Sequence, residues 1–365
     1  MVKPITLFAS GDVMTGRGID QVLPHPSKAD LHEDFVSSAW EYVVLAERKN
    51  GPIPRQVGFS YVWGDAIEEL DRVSPAARLI NLETSITTSE AYEPKGINYR
   101  MHPANAPMLT AAKIDCCVLA NNHVLDWGQS GLVETLATLR HAGFKTAGAG
   151  RNASEAAEPA VIEIGGNSRA LVVAVATLDS GVPPEWAATG STAGIAWLPD
   201  LSDRAAGQIV DRLRAAKRSG DLLVLSIHWG ANWGYEVSRE QRRFARQMID
   251  LAGVDVVHGH SSHHPKGIEI YQGKPIFYGC GDFLNDYEGI SGYEEFRSHL
   301  VLMYFVTMDL LTKCLVRLEM IPLEIKRFQL RHATARDANW LRDRLNREGT
   351  KVALDTHGRL VLQWP

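Results

Sequence analysis

Five apolar, β-rich runs in this chain each lead into a polar residue able to bind a metal or move a proton. That repetition constrains the fold more than any other feature. PITLFAS leads to Asp12 in GDVMTGR, AARLIN to Glu83 in NLET, and CCVLA to Asn122 and His123 in NNHVLD. LLVLSI leads to His228 in HWG, and VDVV to His260 and His263 in GHSSH. Short apolar runs bounded by turn residues read as buried strands. Acids, an amide and imidazoles at the ends of successive strands can converge at one rim of a sheet, where open α/β sheets place their ligands. That donor mixture suits one or two divalent cations. One such motif would say little, but five in order point to metal-dependent chemistry.

Helical patterns alternate with these runs, so an α/β layered fold is expected. Amphipathic helices are expected over 131–143, 201–220 and 238–253, the last two capped by Ser202 and Ser238. The rhythm then changes. GIEIYQGKPIFYG and LVLMYFVTMDLLTKCLVRLEMIPLEI read as antiparallel hairpins, followed by a helix over 334–349 and a last strand, GRLVLQW. Residues 1–330 are expected to form one domain, with 331–365 a helix-and-strand extension packed on it. Loops over 21–64, 84–108 and 177–199 interrupt the pattern, and each reads equally as a lid over the site or as fold-specific padding.

A net charge of −5 provides no basic footprint for nucleic acid. No apolar run reaches roughly 18 residues, so no membrane-spanning helix is expected. The N-terminal apolar stretch runs directly into GDVM and reads as a core strand of a cytoplasmic protein rather than a signal sequence. Adjacent Cys116 and Cys117 read as reduced core thiols, and without a CxxC pair a thiolate zinc site is not expected. Association into a homo-oligomer is compatible with the sequence.

Asp12 can ligate metal or act as a base, or merely cap a turn. Glu83 is a second acidic candidate. Asn122 offers a carbonyl oxygen suited to a hard cation. His123, adjacent to it, suits an outer or acid/base position, with Asp126 to orient its ring. His228, His260 and His263 are the imidazole candidates. Asp282 and Asp286 either support the site or shape a turn. Arg17 either clamps an anionic substrate or makes a structural ion pair. Trp186 and Trp197 are candidate substrate walls. His299 interests because an imidazole facing Asp12 would form an opposed acid/base pair.

In these residues the chain resembles the CapA family, the poly-γ-glutamate capsule-synthesis proteins with a calcineurin-like metallophosphoesterase fold. GDVMTGR, NLETSIT, LANNHVLDWG, HWG and GVDVVHGHSSHHPKG…GKPIFYGCGDFLND carry the resemblance, from about residue 5 to 325. It implies a four-layer αββα sandwich with long insertions over a metal site. Around the metals it would place Asp12, Glu83, Asn122, His228 and the His260/His263 loop, with His123 beside them. Met14 stands where phosphoesterases carry a histidine, Ser261 takes the place of another histidine, and Asp282 replaces an asparagine. The membrane anchor common in capsule-building members is absent from this sequence. That favours the enzymes that epimerise the C-terminal residue of lasso-peptide precursors. In that reading Asp12 and His299, or His123, exchange a proton at an α-carbon of a peptide substrate. The alternatives are a metal-dependent hydrolase of phosphoester or γ-glutamyl amide bonds, and a component of poly-γ-glutamate synthesis. The donor set admits Mn, Mg, Ca, Zn or Fe.

Overall fold

The computed structural model describes residues 4–364; Met1–Lys3 of the N-terminal run and Pro365 lie outside the described residues. Two large sheets dominate the molecule. In the first, strand Ile5–Val13 is central. On one side it is followed in parallel by Ala77–Leu82, Cys116–Val118 and Lys145–Ala147. On the other side Leu300–Met308 and Leu315–Ile325 pair antiparallel, continued by Leu360–Leu362 and Val352–Leu354. The second sheet has the order Trp197–Leu198, Arg169–Thr177, Leu222–His228, Val256–His260, Lys274–Phe277, Ile268–Tyr271. The first five run parallel and the last antiparallel.

The apolar runs become strands buried on both faces, which is why they read as nearly continuous hydrophobic stretches. Alternate residues face opposite ways. Ala170, Val172, Ala174, Leu222, Val224 and Val256 join the core shared with the first sheet. Leu171, Val173, Leu223, Leu225, Ile227 and Val257 instead pack with Ile209, Leu213 and Phe244 of the helices behind. The second sheet is therefore sandwiched between the first sheet and those helices.

Ser202 caps Asp203–Ala216, and Ser238 with Gln241 forms a capping box at Arg239–Gln247. The helix expected to reach residue 253 passes into a π-turn, Met248–Ala252, and stops at Gly253. The helices at Gly128–His141 and Ala335–Arg347 and both hairpins occur where the sequence places them. Residues 21–64, expected as loop, contain a helix, Ala39–Asn50, capped by Ser38. Leu341, Leu345, Leu360 and Leu362 of the C-terminal segment lie in the main core. Among the described residues, no helix is long and apolar enough to cross a membrane.

The first strand changes partner along its length. Ile5–Ala9 pair with Tyr304–Met308, but beyond a register shift Asp12 lies beside Asp282 of a short parallel strand, Asp282–Leu284. The Asp12 amide donates to the Gly281 carbonyl at 3.0 Å. A Cβ on Gly11 would stand 1.6 Å from that same oxygen, so only glycine admits the incoming strand.

Candidate metal centre

Register brings the motifs together. Asp12 has Asn81 as its neighbour on one side and Asp282 on the other, and His228 lies opposite His260. Two groups can each hold a metal ion: Asp12, His228 and His260, and Asp12, His263 and Asp282. All five residues are buried, and Asp12 is common to both groups.

Asn81 keeps the acids apart. Its amide nitrogen donates to Asp12 Oδ1 at 2.8 Å and to Glu83 Oε2 at 2.9 Å. Asn121 fixes Asn81 in turn, donating to its Oδ1 at 3.0 Å. The Ser261 amide donates to Asp12 Oδ2 at 3.3 Å. Ser261 does so from φ 102°, a backbone state costing about 1–3 kcal/mol in a non-glycine residue. His263 Nδ1 meets Asp282 Oδ1 at 2.9 Å, and Asn285 donates to Asp282 Oδ2 at 2.7 Å.

The imidazoles are aligned by a chain of hydrogen bonds. His258 Nε2 donates to the Ser10 carbonyl at 2.7 Å, so in the neutral ring Nδ1 is an acceptor. Ser226 Oγ donates to that Nδ1 at 3.1 Å and accepts from His260 Nε2 at 2.8 Å. This assignment makes His260 Nδ1, 4.0 Å from Asp12 Oδ1, the acceptor of a 2.7 Å hydrogen bond from His228 Nδ1. Among the buried atoms that have no hydrogen-bond partner are His228 Nε2 and Asn122 Oδ1. An orphaned imidazole nitrogen and an orphaned amide oxygen beside a carboxylate cluster are what a cation would satisfy.

The electrostatics agree. Burial and the neighbouring Asp282 push the Asp12 carboxyl up to about 7. Burial and Asp12 hold Glu83 well above its ordinary range. Burial keeps His228 and His260 neutral. Burial opposes charge on His263 too, but Asp282 outweighs it and raises that imidazole. Crowded acids that resist ionisation beside neutral imidazoles are poised for a divalent cation. The residues therefore fit a metal, with oxygen and nitrogen donors together.

His123 is fixed as expected. Its Nδ1 lies 2.7 Å from Asp126 Oδ2, and its Nε2 is turned inward, 4.0 Å from Glu83 Oε1. Burial lowers its pKa to about 4, so the ring is neutral at pH 7. Lys95, from the 84–108 loop, binds Asp126 Oδ1 at 2.8 Å and the Asn122 carbonyl. The Trp186 ring lies 5.1 Å from the Lys95 ammonium, bordering this side of the site. Trp197 instead ties down its own loop through the Val182 carbonyl at 3.2 Å.

Two expectations need correction. Arg17 is no open anion clamp. It is buried in ion pairs with Asp286 at 2.5 Å and Glu33 at 3.0 Å and lies 3.8 Å over the Tyr42 ring. His299 does not face Asp12. Because the first strand leaves Leu300–Met308 for Asp282–Leu284 after Ala9, the start of the former is separated from Asp12. His299 is exposed, and the charges around it belong to Asp337, Arg297 and Lys49.

Asn81 was legible in principle, since period-2 alternation puts it on the same strand face as Glu83. Lys95 sits in an irregular loop and carries no such signal.

Fold and centre together define an α/β protein with a candidate metal site at the ends of its parallel strands. The chain belongs to the bacterial capsule synthesis protein PGA_cap family, whose model matches residues 6–287 and so spans every motif of the site. It is 46% identical over 345 residues to a Mycobacterium tuberculosis H37Rv protein described as a probable polyglutamine synthesis accessory protein, covering 94% of this chain and 90% of that one. The capsule biosynthesis protein CapA of Bacillus anthracis is 25% identical over 365 residues, 96% of this chain and 75% of its own length. The PGA biosynthesis protein CapA of Bacillus subtilis is 29% identical over 285 residues, 76% and 70% of the two chains.

Proposed function

We propose that this protein is a metal-dependent hydrolase of the amide bonds in a glutamate- or glutamine-based polymer, acting as an accessory to that polymer's synthesis. The polymer is inferred from the relatives' descriptions. The chemistry is inferred from the two ligand groups that share Asp12, the observation that carries the reading. The proposal includes a four-layer arrangement, with helices covering the outer face of each sheet.

Asp12, His228 and His260, with Asn122 and Glu83, would hold one ion; Asp12, His263 and Asp282 would hold a second. Bound metal supplies Lewis acidity toward the scissile carbonyl. His123, neutral and held through Nδ1 by Asp126, can accept a proton at Nε2 from the water that attacks the carbonyl and return it to the departing amine as the C–N bond breaks. Lys95 and Trp186 would border the polymer. The epimerase reading needs an acid opposite Asp12; His299, the first imidazole expected there, is exposed, which leaves that part to His123 alone.

The test uses short γ-linked glutamate and glutamine oligomers, incubated with Mn- or Zn-loaded protein in deuterated water. New amine ends, abolished by chelator and by Asp12→Asn, are expected. Deuterium at an α-carbon without cleavage would overturn the proposal in favour of epimerisation. Oligomers left intact and undeuterated would overturn the hydrolase assignment.

A further inference from the structure

The two histidines at opposite sides of the centre are joined by a pair of tyrosines that the proposed chemistry leaves unused. The Tyr99 ring meets His123 edge-on, with centroids 4.5 Å apart, and the Tyr287 ring meets His263 edge-on at 5.4 Å. Their hydroxyls are bonded to each other, Tyr99 donating to Tyr287 at 3.0 Å. Tyr99 is fully buried and held firmly. Its amide donates to Asp126 Oδ2 at 2.6 Å, and its carbonyl accepts from Trp127 Nε1 at 3.1 Å. The Arg17 guanidinium lies 4.4 Å from the centroid of the Tyr99 ring and 5.8 Å from that of Tyr287.

The direction of these bonds has a consequence. Tyr287 receives the Tyr99 hydrogen, so its own hydrogen must go elsewhere. The acceptor in reach is Met14 Sδ at 3.6 Å, a thioether and a weak acceptor. Tyr287 is also only half-buried, whereas Tyr99 and Met14 are closed off. An oriented hydroxyl, poorly satisfied and adjoining His263, is a donor prepared for an oxygen that arrives with substrate.

We propose that the Tyr287 hydroxyl donates a hydrogen bond to an anionic oxygen of the substrate at the Asp12–His263–Asp282 side of the centre. Tyr287 is then a substrate-contacting residue, and Tyr99 a positioning residue that sets its direction. The inference builds on the hydrolase reading, where this oxygen is the carbonyl oxygen as it gains charge. It also predicts binding of any small tetrahedral oxyanion.

Inorganic phosphate serves as the probe, with calorimetric titration of the Mn-loaded full chain and metal content measured in parallel. Tyr287→Phe is expected to bind phosphate roughly 10- to 100-fold more weakly, the worth of one hydrogen bond to a charged acceptor, with metal content unchanged. Met14→Leu, which removes only the thioether, should stay within about twofold of wild type. Phosphate affinity unchanged in Tyr287→Phe, or absent from wild type at about 10 mM, would overturn the proposal. Should Tyr287→Phe fail to fold or to load metal, Tyr99→Phe keeps the test decisive. A weakening of about two- to fivefold is expected there, and none would refute the positioning role. Tyr287-dependent phosphate binding without cleavage of glutamyl oligomers would sink the hydrolase reading and leave this one standing.

Discussion

Replacing Asp12 with asparagine should make the metal-free protein more stable and the metal-loaded protein less so. Asp12 is completely buried, and its carboxyl is held at about 7 against 3.8 for the free group. At about 1.36 kcal/mol per pH unit, ionising it in the folded chain costs about 4 kcal/mol at pH 8. Asparagine removes that cost. It keeps an oxygen for the Asn81 amide but loses the Ser261 bond, worth about 1 kcal/mol. The net gain is about 3 kcal/mol, or about 4 °C in Tm for a chain of this length. The sign follows from linkage. A raised acid lends stability below the unfolded pKa and loses it as pH rises through the folded pKa, so the gap opens between about pH 4 and 7. Thermal melts in chelator at pH 5 and pH 8 measure it, and most of the advantage should be gone at pH 5. Adding metal at about 1,000 times its Kd should stabilise wild type by about 4.1 kcal/mol and the variant hardly at all, inverting the order. If metal-free Asp12→Asn melts below wild type at pH 8, Asp12 is a satisfied structural carboxylate and the reasoning fails.

Three further substitutions separate ligands from scaffold. Asn122→Ala removes an oxygen that has no partner, so the metal-free melting temperature should hold while metal affinity, by titration, falls at least ~10-fold. Arg17→Ala strands Asp286 and Glu33 in the interior and should cost about 3–5 kcal/mol in chemical denaturation. His299→Ala, at an exposed position, should change stability by less than about 0.5 kcal/mol and leave cleavage and metal content unaltered.

The strand-end residues were legible because apolar runs and the polar residues after them are local patterns. Asp12, Glu83, Asn122, His123, His228, His260 and His263 all follow such runs, and the helix caps Ser202 and Ser238 are equally local. What stayed hidden depends on distant contacts. The helix Ala39–Asn50 lies among prolines and aromatics that suggested loop. The fate of Arg17 depends on Asp286, hundreds of residues away, and on Glu33 from an irregular segment. Pairing Asp12 with His299 rested on the chemistry of an opposed acid and base, and no local pattern announces that the first strand leaves Leu300–Met308 after Ala9.

That change of partner explains how the centre can exist. A strand continuing beside Leu300–Met308 would bring Asp12 against an apolar run. By passing Gly11 under the Gly281 carbonyl, the chain sets Asp12 between Asn81 and Asp282. One carboxylate then borders both His228–His260 and His263, which no single pair of strands could arrange. The cost is that Asp12 and Glu83, crowded in a buried space near Asp282, resist ionisation. Asn81 offsets part of it with two hydrogen bonds, and a divalent cation would offset the rest. The same crowding therefore destabilises the empty fold and favours the loaded one, so metal affinity should rise with pH through about 7 as Asp12 gives up its proton.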